Sequence, residues 1–382
     1  MEEVLKRALV RNEFGKVFEI LSAGKVPSMP PENIPEGGTV LHIAVMLGYK
    51  ECVEVILSKA ICDLMVNYQD EGNHWTPLMH AIANNDSKIA KQLLVTQKCD
   101  VTLKDSFKQT ALHLEAQSHS ITAEVCYYLV KYGAAVDAED SEGMTPFLRA
   151  IEGNNVTAAK FLFNQRCDTS HQCSRGRTAL HIAAQHCHEE LVAWLIRICC
   201  SLSMEDEKGQ TPLMVCVQQR KPPHLVFKVL KLLLDAGSDV NAQDSLKNTT
   251  LLLATSNPGI IRKHHIELLL ASGADPSICN VDGLTPIWQA IYDGVHYADR
   301  MKVIELFLAQ NCDLNTACRG RLLFMSGTNS VYSYEAYLSP FEVAMDSGLY
   351  DVARKLILAG AKVSLNFLAA TTAIWAGIHE RA

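Results

Sequence analysis

The chain is 382 residues long, with 48% hydrophobic residues, 35 Lys plus Arg against 42 Asp plus Glu, and a formal net charge of -7. That apolar content excludes a disordered chain, and the mild acidity argues against a dedicated nucleic-acid binder, which carries a basic excess or stripe. A compact fold of this length divides into two or more domains unless the architecture is elongated. The 13 cysteines are odd in number, and several sit inside apolar helical patterns (Cys52, Cys126, Cys216), as free thiols in a reducing compartment would. The charged, amphipathic N-terminus is not a signal peptide. The longest uncharged stretch, Val363 to His379, has 17 residues and includes Ser, Asn, Thr and Gly, whereas a bilayer span wants roughly 20 predominantly apolar ones. The expected setting is cytoplasmic or nuclear, without membrane insertion.

In chain order, residues 1–36 carry two apolar helical runs, with Lys6, Arg7, Arg11 and Lys16 available to wet an outward face. From Thr39 one phrase keeps returning: TVLHIA, TPLMHA from Thr76, TALHLE from Thr110, TPFLRA from Thr145 and TALHIA from Thr178. It continues as TPLMVC from Thr211, TTLLLA from Thr249, TPIWQA from Thr285 and SPFEVA from Ser339, at spacings of 37, 34, 35, 33, 33, 38, 36 and 54. A second apolar run follows each copy, and then a Gly- and Asp-containing phrase such as LDAGSDVNAQD. Thr before Pro is an N-cap followed by a pre-organised first helical residue. Gly237 and Gly273 stop the second helix with a left-handed residue, and Asp-rich phrases supply a hairpin turn. One helix pair cannot bury its own apolar face, so neighbouring units must stack.

These residues resemble the ankyrin repeat, whose pattern is a TPLH-containing inner helix, an outer helix and a turn into a β-hairpin. The resemblance implies an all-α-type repeat solenoid of about ten units: stacked helix-turn-helix pairs with β-hairpin loops. Residues 1–36 read as an N-terminal capping repeat, 37–363 as the array, with repeats starting near 37, 74, 108, 143, 176, 209, 247, 283 and 337, and 364–382 as a C-terminal capping helix. The longest gap holds an inserted hairpin arm, residues 319–336, with its turn at Ser326 to Asn329 and with Tyr332 and Tyr334 on one face. The inter-helix turns carrying Arg220-Lys221, Arg262-Lys263 and Val295 to Asp299 are longer than the others.

No phosphate loop, HExxH, GxSxG or kinase signature is present. His42, His113 and His181 recur at one fixed position of the repeat. Catalysis needs one site and packing needs many, and the family gives these rings a structural job. Cys167, His171 and Cys173, with His186, Cys187 and His188, match no usual zinc spacing. Cys99, Cys167 and Cys312 instead replace the small Ala of a GAD turn. The expectation is a protein without catalytic residues, metal or cofactor.

Function is then expected on a surface. The resemblance implies a concave groove lined by hairpin tips and the exposed end of each inner helix. Carried over position by position, this gives Met46, Leu47, Trp75, Phe107, Met144, Leu246, Leu284 and Tyr292, with a basic stretch of Arg175, Arg177 and Lys208 between them. Trp, Tyr and Arg dominate interface hot spots. The expected partner is a protein or peptide with acidic and hydrophobic residues, bound by a monomer without nucleic acid. A substrate-recognition subunit of a ubiquitin ligase is the alternative, and an inhibitor masking a basic localisation segment fits less well beside the three basic residues. Asn241 stands in a context resembling that which an oxygen-dependent asparaginyl hydroxylase modifies in ankyrin hairpins.

Overall fold

The computed structural model describes residues 37–58, 62–118, 120, 122–256, 263–292, 297–310, 312–325 and 331–364, with backbone alone for 297–299, 319–325 and 331–336. The expected N-terminal cap, the C-terminal helix from residue 365 on, the turn at Ser326 to Asn329, the side chains of Tyr332 and Tyr334, Arg262 and the segment 293–296 lie outside the described residues. The chain divides into two compact units, residues 1–183 and 184–382.

In the first unit the helix pairs are α1 (Val40–Met46) with α2 (Lys50–Leu57), α4 (Pro77–Ala83) with α5 (Ser87–Val95), α6 (Ala111–Gln117) with α7 (Glu124–Lys131) and α8 (Pro146–Glu152) with α9 (Val156–Asn164). The one-turn α3 (Cys62–Met65) follows α2, and α10 (Ala179–His186) carries the boundary. Each starts for a local reason. The Thr76, Thr145, Thr249 and Thr285 hydroxyls accept the amide three residues on, with Pro77, Pro146 and Pro286 supplying the first helical residue. Two residues after each capping residue comes a fully buried apolar side chain, among them Leu41, Leu78, Leu112 and Phe147, each worth about 2 kcal/mol on burial. Five residues after it the units at Thr39, Thr76 and Thr145 carry a small one, Ala44, Ala81 and Ala150, which lets inner and outer helices approach. At the end of α8, a side chain on Gly153 would lie 2.3 Å from the Gln117 carbonyl oxygen of α6.

The second unit repeats the pattern with α11 (Glu189–Arg197), then α12 (Pro212–Val217) with α13 (Pro223–Asp235), α14 (Thr250–Thr255) with α15 (Lys263–Ala271), α16 (Pro286–Tyr292) with α17 (Tyr297–Ala309), and α18 (Pro340–Asp346) with α19 (Tyr350–Leu358). Between α17 and α18 the antiparallel strands β1 (Cys318–Met325) and β2 (Val331–Leu338) pair in register from Cys318 opposite Leu338 to Met325 opposite Val331. All thirteen cysteines are free thiols. Cys167 and Cys312 are buried and Cys99 half-buried, in the turn position that Ala134, Ala274 and Ala361 fill elsewhere.

Candidate functional site

Several hairpin tips are built around one acidic side chain, while Asn280 takes that place in the tip before Thr285 and Cys173 in the tip before Thr178. Asp140 Oδ1 accepts the amides of Glu142 (2.8 Å) and Met144 (3.0 Å), and Asp105 and Asp244 do the same for Phe107 with Gln109 and for Leu246 with Asn248. These carboxylates are buried. Burial alone would raise the Asp140 carboxyl, but Arg149 and the two amides hold it below its ordinary range. Successive tips are then stitched by backbone: Ser106 N–H to Asn73 O, Ser141 N–H to Phe107 O and Ser174 N–H to Glu142 O in the first unit, Ser245 N–H to Lys208 O and Val281 N–H to Leu246 O in the second.

The recurring histidines serve the same scaffold. The Thr110 amide donates to His113 Nδ1 (3.1 Å), so Nε2 carries the proton and donates to Met144 O (3.1 Å). His42 repeats this with Thr39 and Trp75 O. Burial lowers the His42 pKa to about 4 and lowers His113 as well, which keeps both rings neutral. At the same repeat position Trp288 donates its indole N–H to Leu338 O (2.8 Å), an equivalence that the phrase TPIWQA does not show by itself. His80 Nε2 meets Asp70 Oδ2 at 2.6 Å, but with side chains only 9% and 2% exposed the pair is not presented to a substrate. Among the described residues no cluster of three or more His, Cys, Asp or Glu is arranged to hold a metal ion.

The expected partner-binding residues separate into two sets. At the apex, three residues before the capping Thr, Phe107 is 60% and Leu246 59% exposed, and Arg175 and Lys208 are exposed at the same position. Val281, one residue earlier in its own turn, is 54% exposed and was missed, although an apolar residue inside the turn phrase CNVDG signals it. One residue before the Thr the outcome differs. Met144 was expected to be exposed and is buried, at 5%, a correction with a clear cause. Its amide is held by Asp140 Oδ1, and its carbonyl by the Asp140 amide and His113, so the side chain is enclosed between tips. Trp75, at the same position, is half-buried, donates its indole N–H to Asp105 Oδ2 (3.1 Å) and meets the His80 ring edge-on. Arg177 and Leu284 are half-buried there too.

On the inner helices Met46 and Leu47 are half-buried, while Tyr292 is 47% exposed with its ring stacked on Trp288. Asn241 bridges to the following repeat, giving its Nδ2 to Gly273 O (3.0 Å) and accepting the Asp275 amide at 2.8 Å. Asn67 does the same for Lys98 and Asp100.

A family model of ankyrin repeats (three copies) matches residues 7–105, 81–173 and 148–244, well over half of the chain. The chain belongs to the ankyrin repeat family. Among curated proteins, the B-cell lymphoma 3 protein homolog of Mus musculus is 25% identical over 221 residues, which cover 56% of this chain and 47% of that protein. The transient receptor potential cation channel subfamily A member 1 homolog of Caenorhabditis elegans is 28% identical over 174 residues, 45% of this chain and 14% of the relative. Inversin of Homo sapiens is 28% identical over 165 residues, 42% and 15% respectively. The chain thus spans less than half the length of each of these relatives. Ankyrin repeats generally act as protein–protein interaction modules and are typically non-catalytic. No helix among the described residues is long and apolar enough to cross a membrane.

Proposed function

We propose that this ankyrin array is a non-catalytic scaffold that binds a protein or peptide partner on its hairpin tips. The observation that carries the reading is the contrast at the apex position. In the tips of Phe107 and Leu246 the rest of the turn is locked by Asp105 or Asp244 and by the backbone ladder, yet the apex side chains vary along the array and these two large apolar ones are left in water. An aromatic on a rigid turn loses little entropy on binding and is a common anchor. In the second unit Lys208 and Leu246 occupy adjoining tips joined by a backbone hydrogen bond, which suits a partner segment with an acidic residue beside an apolar one. Tyr292 extends this contact within the second unit; in the first unit Trp75 and Arg175 join Phe107, and Met144 has no part in it.

A photo-crosslinking amino acid placed at 107, at 246 and, as control, at the outer-helix position 163 tests this. Phe163 is also exposed but lies away from the tips. The expected outcome is capture of the same protein from positions 107 and 246 and not from 163. Capture from 163 alone would move the binding surface to the outer helices and end the proposal.

A further inference from the structure

The unit that begins at Thr110 breaks the repeat at one place. Five residues after the capping residue its neighbours carry Ala81 and Ala150, and this unit carries Glu115. Glu115 is 4% exposed, and its Oε1 has no hydrogen-bond partner. It lines a cavity of about 350 Å³ at the inter-helix turns, with Asn85, Ser87 and Thr122 around it and Ile82 and Val125 as apolar wall. Leaving a buried carboxyl oxygen unsatisfied is costly, and nothing in the stacking of helix pairs asks for it, since Ala serves on both sides.

Among the described residues, the groups around Glu115 do not neutralise it. Glu124, on α7, is already paired with Lys91 of α5 at 2.5 Å. Burial, and then the charge of Glu115, push up the thiol of Cys126 on α7, which stays uncharged. Burial pushes the Glu115 carboxyl itself up to about 7, against a smaller opposite pull from the Ser120 hydroxyl. An incoming cation would therefore meet a carboxyl poised to ionise.

We propose that this cavity binds a primary ammonium group on a short alkyl chain, with Glu115 Oε1 as the counter-charge and Ile82 and Val125 against the methylenes. This goes beyond partner binding on the hairpin tips and uses none of the same residues. A guanidinium fork matches two carboxylate oxygens side by side, and here Oε1 alone is the buried carboxyl oxygen left without a partner. A hard divalent cation wants six or more oxygen ligands, several of them anionic, and a single free carboxylate does not supply them. The ammonium can come from a free diamine or from a lysine side chain of another protein, and the chemistry at Glu115 is the same.

Ligand-observed NMR and isothermal titration on the full chain, with n-butylammonium and its neutral counterpart n-butanol, test the site. Saturable binding of the ammonium is expected, weakened about tenfold or more by Glu115→Ala, with n-butanol neither binding nor competing. Because only the ionised carboxyl is competent, wild-type affinity should rise about tenfold from about pH 6 to about pH 8, while Glu115→Gln stays weak and flat. Putrescine and Nα-acetyl-lysine methylamide separate the sources: the tighter of the two identifies a free amine or a protein lysine. Ala stands at this position in both neighbouring units, so Glu115→Ala keeps the fold, which circular dichroism checks. Equal binding of ammonium and alcohol, unchanged binding in Glu115→Ala, or no saturable binding to the wild type would each overturn the proposal.

Discussion

The repeats that begin at Thr110 and Thr145 each bury a charged residue on the inner helix, one place apart, and treat it in opposite ways. Arg149 gives Nε and Nη2 to Asp140 Oδ2 (2.8 and 2.6 Å), Nη2 again to Glu142 and Nη1 to Glu152, both at 2.7 Å. Burial would lower its pKa, but these three carboxylates raise it overall. Glu115, in the preceding repeat, is as deeply enclosed and has one oxygen with no partner. A buried ion that belongs to the scaffold is surrounded by complementary groups, because an unpaired one is too costly to keep. Arg149 is therefore accounted for by the fold itself, and Glu115 is not.

Removing each charge should break the comparison in opposite directions. The largest effect expected is from Arg149→Leu, which strands Asp140 inside its hairpin and should cost about 3–5 kcal/mol in urea unfolding. Adding Asp140→Asn to that variant should recover part of the loss. Glu115→Ala should do the reverse and stabilise. Burial pushes the folded carboxyl up to about 7 from its ordinary 4.5 in the unfolded chain, so the folded state binds more protons between those values and wild-type stability falls as pH rises through that window. The gain from Glu115→Ala should thus be small below about pH 4.5, grow through the window, and level off above pH 7 at about 3 kcal/mol. A gain that does not change with pH would mean that the carboxyl is not held neutral.

A smaller contrast sets apart the two tip positions. Phe107→Asp should leave the melting temperature unchanged and weaken the partner by about 2 kcal/mol, while Met144→Ala should lower stability by about 2–3 kcal/mol and leave affinity alone. Crossed results would mean that the apex and the residue before the capping Thr have been assigned the wrong jobs. The smallest effect concerns turn strain. Two residues before the capping Thr the backbone is left-handed, which Gly143 and Gly209 accept freely and Lys108 adopts at φ 59°. Lys108→Gly should gain up to about 1 kcal/mol, the left-handed penalty less the extra entropy of glycine in the unfolded chain. A loss would show that the Lys108 side chain contributes more than its backbone costs.

The fold was legible because its causes are local and repeated. A capping Thr or Ser starts a helix nine times over, in five of the nine followed by Pro; a small residue five places later lets two helices approach in every unit but the one with Glu115, and a turn phrase then reverses the chain. The job of His42 and His113 was legible for the same reason. The job of Trp288 was not, because the equivalence lies in one indole N–H reaching the carbonyl that an imidazole N–H reaches elsewhere, and a sequence pattern compares residue types rather than hydrogen-bond vectors.

By itself, then, the sequence determined the repeat, the capping residues of its helices and its left-handed turns, all set by interactions within a few residues along the chain. Only the tertiary structure decided that Phe107 stands in water while Met144, with the same hydrophobic character, is enclosed. It also decided that Arg149 finds three carboxylates and Glu115, among the described residues, no counter-charge. Both outcomes depend on what the adjoining repeat presents some 30 residues away, and burial and pairing are properties of that neighbour as much as of the residue.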